Sequence, residues 1–251
     1  MTGSCLFTYC NSNVYGGGLF LTIQGLGAII ITGELEFDQC ETLYYGGGIH
    51  SSLESGGKLT ISGSSSFTDC KTLEISSGGG GAIYALIIGE NSLLTLEDQI
   101  MFLKCLGYQG GGLLLPINNN GSFTMTGNCS FTDCNSTLLG GGCVISASIA
   151  NYDIQLLGSM RFDGCNSLKS GGGLYIQSKY AGQITINEMS FSNCNSTQYG
   201  GGIYSQLYFG VQITIIGKVT FDNCNCLEGY GGGQFVYVYG SDSKINITGE
   251  L

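Results

Sequence analysis

The chain has 251 residues, 43% of them hydrophobic and only 10% charged, and a formal net charge of −10. Eight Lys and Arg in so acidic a chain argue against a nucleic-acid surface, which needs clustered cations. No apolar run approaches the roughly 18 residues of a membrane-crossing helix.

In chain order, the first ten residues, MTGSCLFTYC, place Phe7 three before Cys10. A glycine triplet follows in YGGGLF at 15–20, then an alternating apolar run centred on Ile30, then Phe37 and Cys40. This order returns to the end of the chain. Glycine-rich corners start at Gly16, Gly46, Gly80, Gly110, Gly140, Gly171, Gly200 and Gly231, spaced by 30, 34, 30, 30, 31, 29 and 31 residues. The Phe-x-x-Cys motif keeps step at Phe7/Cys10, Phe37/Cys40, Phe67/Cys70, Phe102/Cys105, Phe131/Cys134, Phe162/Cys165, Phe191/Cys194 and Phe221/Cys224. The alternating runs centre on Ile30, Thr60, Thr95, Thr124, Gln155, Thr185, Thr214 and Asn246. A fixed period of this kind is the mark of a repeat architecture.

Each repeat offers three short strand-like segments: one after the glycines, one at the x-Thr-x run, and one ending on the Phe. Period-two alternation with β-branched residues favours strand over helix. Three short strands per turn of ~31 residues suit a parallel β-helix of about eight turns, an all-β solenoid formed by residues 1–251 as one array. The Phe column becomes an internal aromatic stack. The triplets mark a corner where the backbone turns through positive φ or lies too close to its neighbours for a Cβ, and Ala82 in the third slot shows that this slot needs smallness more than positive φ. MTGSCLFTYC aligns with ITGELEFDQC at 31–40, and the sequence closes on ITGEL in the same phase. The expectation is a piece of a longer array or a stackable unit without a signal peptide.

The Gly-Gly-Gly-Ile/Leu motif, written Gly80-Gly81-Ala82-Ile83 in one turn, paired with Phe-x-x-Cys and a following Asn at Asn11, Asn135, Asn166, Asn195 and Asn225, resembles the repeats of the polymorphic outer-membrane protein family and of large protist surface proteins. That family has Gly-Gly-Ala-Ile and Phe-x-x-Asn, and its bacterial members carry a membrane-anchoring barrel that has no counterpart here. The resemblance covers the whole chain. It implies a right-handed β-helix, displayed on a cell surface or outside the cell, with structural or adhesive use.

Twelve cysteines are present. Eight form one column: Cys10, Cys40, Cys70, Cys105, Cys134, Cys165, Cys194 and Cys224. Turns stacked at about 4.8 Å bring such residues within disulfide reach, as in Cys10–Cys40 or Cys194–Cys224. The competing reading is a buried ladder of free thiols behaving as small hydrophobes. Cys5, Cys129 and Cys143 fall in apolar columns. No C-x-x-C pair exists, and the one His leaves no metal site, cofactor or cysteine nucleophile to predict.

Other candidates are weighed against ordinary roles. His50 shares a column with Phe20, Tyr84, Leu114, Val144, Tyr175, Tyr204 and Phe235, which is a ladder position, and Arg161 reads as solvated surface. Asp38 with Asp69, and Asp133 with Asp163, lie in neighbouring loops, but their offsets from the Phe differ, which disfavours a shared Ca²⁺. A Thr array of the ice-binding kind is broken by Ile30, Gln155 and Asn246. Sequons at Asn120, Asn128, Asn135, Asn195 and Asn246 are glycosylation candidates. Tyr15, Tyr45, Tyr199 and Tyr230 predict an outward ladder suited to lateral or glycan contacts.

The sequence therefore predicts a non-enzymatic extracellular rod, structural or adhesive. Its partners would be copies of itself or flanking repeats end to end, building a filament, or cell-surface glycans or proteins. The alternatives are a polysaccharide lyase or hydrolase, with Glu74 in the long loop 71–81 as the residue to test, and a glycan-binding module.

Overall fold

A computed structural model describes residues 3–74, 76–149 and 151–249. Met1, Thr2, Ile75, Ala150, Glu250 and Leu251 lie outside the described residues; they include the first two residues of the MTGSCLFTYC alignment, the end of ITGEL and one residue of the 71–81 loop. Among the described residues every regular element is a strand, every strand pair is parallel, and no helix is long and apolar enough to cross a membrane. The chain winds as a β-solenoid of about eight turns with three sheets.

The segment after the glycines forms one side, an eight-stranded sheet running from Leu19–Gln24 to Gln234–Tyr239. Its register keeps equivalent positions in line: Leu19 opposite Ile49, Ile49 opposite Ile83, Leu174 opposite Ile203. The other two predicted segments share a second side rather than forming separate ones. Strands around the x-Thr-x run (Ala28–Ile31, Lys58–Ile61 and their successors) and strands through the Phe (Cys5–Thr8, Leu35–Asp38 and theirs) make two ladders. In two turns the chain passes between them without a break, as Asp153–Asp163 and Gln183–Ser192, and this fuses both ladders into one fourteen-stranded sheet. The third side has no counterpart in the predicted segments. It is a sheet of short strands directly after the Cys, from Asn11–Ser12 to Asn225–Cys226.

Alternation places the apolar residues inside. Phe37, Phe67, Phe102, Phe131, Phe162 and Phe191 are fully buried. The rings of successive Phe are stacked with centroids 4.6 to 5.2 Å apart and interplanar angles of 2° to 16°. Each such ring contributes about 1.5–3 kcal/mol by burial alone, and only the neighbouring turns can supply that burial.

The three glycines of a corner do three different things. The first takes the left-handed conformation in every turn, φ 58° to 73°. The second is pressed against main chain: a Cβ on Gly141 would lie 2.2 Å from the Gly172 carbonyl and 2.5 Å from that of Asn166. The third faces a ring: a Cβ on Gly142 would lie 2.7 Å from Phe162. A ring can tilt and a carbonyl ladder cannot, so the single alanine of the triplets, Ala82, occupies the third slot.

The corner before the Cys also turns through positive φ, and here ordinary residues do it: Tyr9, Gln39, Asp69, Lys104, Asp133, Asn193 and Asn223 lie at 49° to 55°, with Gly164 in the same column. Asn and Asp tolerate this region better than most. The turn reverses the chain so that Phe and Cys both point inward.

Candidate functional site: ladders inside, an aromatic trough outside

The Cys column is a continuous internal ladder. Six of its members, Cys40 to Cys194, are buried, Cys10 and Cys224 in the end turns are half-buried, and all twelve cysteines are free thiols. Each buried ladder thiol points at the carbonyl of the Phe one turn back: Cys40 Sγ lies 3.3 Å from Phe7 O, Cys105 Sγ 3.4 Å from Phe67 O, and Cys165 Sγ 3.4 Å from Phe131 O. Burial pushes the thiols of Cys105, Cys129, Cys143 and Cys165 well above the ordinary range, which makes them poor nucleophiles. In the native protein an aromatic disulfide reagent is expected to label only the half-buried Cys5, Cys10, Cys224 and Cys226. Alkylation of the unfolded, unreduced chain is expected to label all twelve. A shortfall of two would mean a bridged pair of adjacent turns.

The Asn that follows the Cys forms a second ladder on the outside. Asn166 Nδ2 donates to Asn135 Oδ1 at 3.1 Å, Asn195 to Asn166 at 2.9 Å, and Asn225 to Asn195 at 3.2 Å. Each amide also donates to the carbonyl two residues before it, as Asn135 does to Asp133 O at 2.7 Å and Asn195 to Asn193 O at 3.0 Å. In earlier turns the same column carries the ion pair Lys71–Glu41 at 2.7 Å. This divides the sequons. Asn195 has both amide hydrogens committed, so a glycan there would break the ladder, whereas Asn135 commits one hydrogen to Asp133 O and joins the ladder through Oδ1, which a glycan on its second hydrogen would leave in place. Asn120 (φ +65°, in a turn), Asn128 and Asn246 are exposed. Asn128 Oδ1 accepts from Ser159, which leaves its amide nitrogen outside that bond.

The Asp pairs do not meet. Thr68, not Asp69, stands opposite Asp38, and Asp163 stands opposite Thr132, not Asp133. Asp163 instead accepts from Ser192 Oγ at 2.8 Å and Asn193 Nδ2 at 3.2 Å and pairs with Arg161 at 3.2 Å, which holds its carboxyl below the usual range, the Ser192 bond contributing most. Glu74 accepts from the main-chain nitrogen and hydroxyl of Ser76, at 3.1 and 2.6 Å, within its own loop. Among the described residues no three His, Cys, Asp or Glu side chains converge as a metal site. The Thr column is in register, Thr60 to Thr95 to Thr124, and Gln155, Asn246 and Ile30 interrupt it.

His50 lies inside an aromatic cluster at the N-terminal end. Its ring is 4.7 Å from Tyr15, 5.0 Å from Phe20 and 4.9 Å from Tyr84. It is 7% exposed, and Nδ1 is buried without a hydrogen-bond partner. Burial lowers its pKa to about 4, opposed in part by a main-chain hydrogen bond at Tyr45. The folded state therefore binds this proton less readily than the unfolded chain, whose His titrates near 6.5. The stability this group contributes is present above pH ~6.5 and is lost as pH falls from there toward about 4, by about 2–3 kcal/mol. His50→Phe, which copies Phe20 one turn earlier, is expected to abolish this component in denaturant melts across that pH window. An unchanged pH profile would refute it.

The predicted tyrosine ladder is not continuous. Tyr15 pairs with Tyr45 and Tyr199 with Tyr230, with Gly79, Leu139 and Ser170 in the same column between them. In the last turns the second pair joins a larger array. Strands Leu174–Lys179, Ile203–Tyr208 and Gln234–Tyr239 turn alternate residues outward. Strand register stacks these as Tyr175, Tyr204 and Phe235; then Gln177, Gln206 and Tyr237; then Lys179, Tyr208 and Tyr239. Tyr199, Tyr204, Gln206, Tyr208, Tyr230, Phe235 and Tyr237 line an open trough of about 560 Å³. Its polar floor is fixed by hydrogen bonds. Gln206 Oε1 accepts from Tyr175 Oη at 2.8 Å and Gln177 Nε2 at 2.9 Å, while Gln206 Nε2 donates to Tyr204 Oη at 2.5 Å.

The Tyr175/Tyr204/Phe235 column and the Tyr199/Tyr230 pair are both marked in the sequence. Gln177, Gln206, Tyr208 and Tyr237 are visible there only by subtracting 29 and 31 residues, which aligns Gln177 with Gln206 and Tyr208 with Tyr239. In comparisons with known proteins, no protein-family model, no curated protein and no solved structure matches the chain.

Proposed function

We propose that this protein is a non-enzymatic β-solenoid that works outside the cell or on its surface as a rigid structural or adhesive rod. The observation behind it is the repeated register, which shifts at Gly107/Gln109 and at Leu156/Ser159 and otherwise keeps equivalent residues in line. Strand pairing, the Phe stack and the Cys column run through eight turns with the same residue types, and such regularity fits a part whose use is length, stiffness and a repeated surface. The likeness of its motifs to the polymorphic outer-membrane protein repeats points to the same setting. Exposed sequons at Asn120, Asn128 and Asn246 suit a glycoprotein.

Further turns pair with the outermost strands in this reading, either flanking repeats of a longer chain or a second copy end to end. Electron microscopy of the purified chain over a range of concentrations tests it. Eight turns make a rod about 40 Å long. Concentration-dependent filaments with that repeat support end-to-end assembly, whereas short rods throughout support a segment of a larger surface protein. Attachment of fluorescently labelled rods to intact cells tests adhesion. Globular particles would refute the rod, and rods that attach to nothing would refute the adhesive use.

A further inference from the structure

We infer that the aromatic trough on the last three turns is a binding site for a neutral glycan. The inference deepens the adhesive reading and rests on it for the biological setting, but it stands on the geometry of one site.

The chemistry of the trough is specific in three ways. First, its walls are ring faces. Phe235 stacks 5.0 Å from Tyr199, and Tyr208 and Tyr237 lie 6.0 Å apart on the other side. Tyr237 is 42% exposed and Tyr230 67% exposed, so each ring keeps apolar area in water beside its neighbours, Tyr208 at 6.0 Å and Tyr199 at 6.2 Å. The C–H faces of pyranose rings fit such surfaces, because they present apolar area beside hydroxyls, as Tyr itself does. Second, the floor carries preset hydrogen-bonding groups. The two lone pairs of Gln206 Oε1 are taken by Tyr175 and Gln177, and one amide hydrogen is given to Tyr204. The second hydrogen of that amide and the hydroxyl hydrogen of Tyr204 are then left as donors. Both are held in place before a ligand arrives, so binding costs little side-chain ordering. A sugar hydroxyl or ring oxygen can accept from them. Third, no carboxylate or cation lines the trough. Lys179 sits at its edge, with Nζ 5.8 Å from the centre of the Tyr208 ring. With a net charge of −10 on the chain, an acidic polysaccharide would be repelled at low salt.

The backbone beside the trough is strained in the same turns. Tyr180 and Phe209 take positive φ, 58° and 54°, where bulky side chains are rarely found. In the same column, other turns use Ser55, Gly89, Asn119 and Gly240. The strain puts two more exposed rings, stacked 5.9 Å apart, at the rim, extending the aromatic surface along the strand direction. The first turns of the same face carry Thr22, Ser52 and Glu54 in the corresponding columns, so the trough belongs to one end of the rod. An aromatic groove also suits a proline-rich peptide, and an aromatic cage suits a quaternary ammonium. The fixed amide floor, and a lining with no carboxylate to hold a quaternary ammonium, favour the glycan.

The test is affinity electrophoresis in native gels containing a soluble β-glucan, a mannan or a galactan, with a polyproline peptide and phosphocholine as competitors. The wild-type chain is expected to be retarded by at least one of the neutral polysaccharides. Tyr208→Ala/Tyr237→Ala is expected to weaken retardation at least tenfold, and Gln206→Leu about fivefold, while Tyr9→Ala, at an exposed tyrosine of the first turn, leaves it unchanged. Matching melting temperatures establish that the variants fold. Retardation equal in the wild type and the Tyr208/Tyr237 variant overturns the proposal. So does indifference to all three polysaccharides, and so does release by the peptide or by phosphocholine at the concentration that half-saturates them. Attachment of rods to cells is scored in parallel. Rods that attach yet ignore every polysaccharide sink the trough and leave adhesion standing, and rods retarded through the trough that attach to no cell do the reverse.

Discussion

Gly141→Ala, the addition of one methyl group, is expected to destroy cooperative folding or lower stability by more than about 4 kcal/mol, a size reserved for a few kinds of substitution. The new Cβ would lie 2.2 Å from Gly172 O, 2.5 Å from Asn166 O and 2.6 Å from Asn166 N. All three are main-chain atoms in the next turn, held by the hydrogen bonds Gly141 N to Gly171 O at 3.1 Å and Asn166 N to Cys134 O at 3.1 Å. Relief requires two turns to separate, and separation breaks the ladders on every side. Two controls isolate the cause. At Gly232, in the last turn, the nearest atom is Cys224 O at 2.8 Å and the next is 3.8 Å away, so Ala there is expected to cost far less. At Gly25 nothing lies within 4 Å and φ is +62°, so Ala pays only the left-handed conformation, about 1–2 kcal/mol. Equilibrium denaturation followed by circular dichroism ranks the three. A Gly141→Ala midpoint close to that of Gly25→Ala would overturn the corner argument.

Phe131→Ala is expected to cost about 3–5 kcal/mol, the range for removing a buried aromatic side chain. Its ring is fully buried and lies between Phe102 at 4.6 Å and Phe162 at 4.7 Å. The neighbours are held by their own turns, so the space cannot close from above or below. Phe131→Leu keeps much of the volume and should cost less. Phe7, in the first turn and half-buried, has one stacked neighbour, Phe37 at 4.6 Å, and Phe7→Ala should cost less than half as much as Phe131→Ala. A double-mutant cycle on Phe131 and Phe162 is expected to show coupling of about 0.5–1.5 kcal/mol. Equal costs at Phe7 and Phe131 would mean that the stack is not what the interior loses.

The period was readable because each turn repeats the same inward residues, and inward residues are the most constrained. Phe37, Phe67 and Phe131, with Cys40, Cys70 and Cys134, therefore announced the solenoid and its core. The division of labour within the triplet was readable only in part: Ala82 marked the third slot as the tolerant one, but nothing in the sequence distinguishes a carbonyl from a ring as the neighbour of Gly141 or Gly142. The third sheet was hidden because strands such as Glu41–Thr42 and Asn166–Ser167 are two residues long, too short to show an alternation. Their pairing follows from the turns above and below rather than from local propensity. The fusion of two predicted segments into Asp153–Asp163 was hidden for a related reason: Gly158 there looks like Gly33 and Gly127, yet the strand continues past it with a register shift between Leu156 and Ser159. The trough was least legible. Outward positions vary from turn to turn, and a site made from Gln177, Gln206, Tyr208 and Tyr237 exists only across a vertical distance of three turns.

The ladders have a mechanical consequence. The bonds that join one turn to the next, such as Gly112 N to Gly142 O at 2.9 Å and Gly142 N to Gly173 O at 3.0 Å, point along the rod. A pull on the two ends therefore loads the turns in series, like a spring whose coils are lightly glued, and the outermost turn carries the force with neighbours on one side only. Extension should proceed by peeling from the ends. Each event would release about 31 residues, or close to 100 Å of chain at ~3.4 Å per residue, before the next turn takes up the load. A rod built this way is expected to lengthen severalfold under tension while its remaining turns stay paired, because each turn is held only by its neighbours.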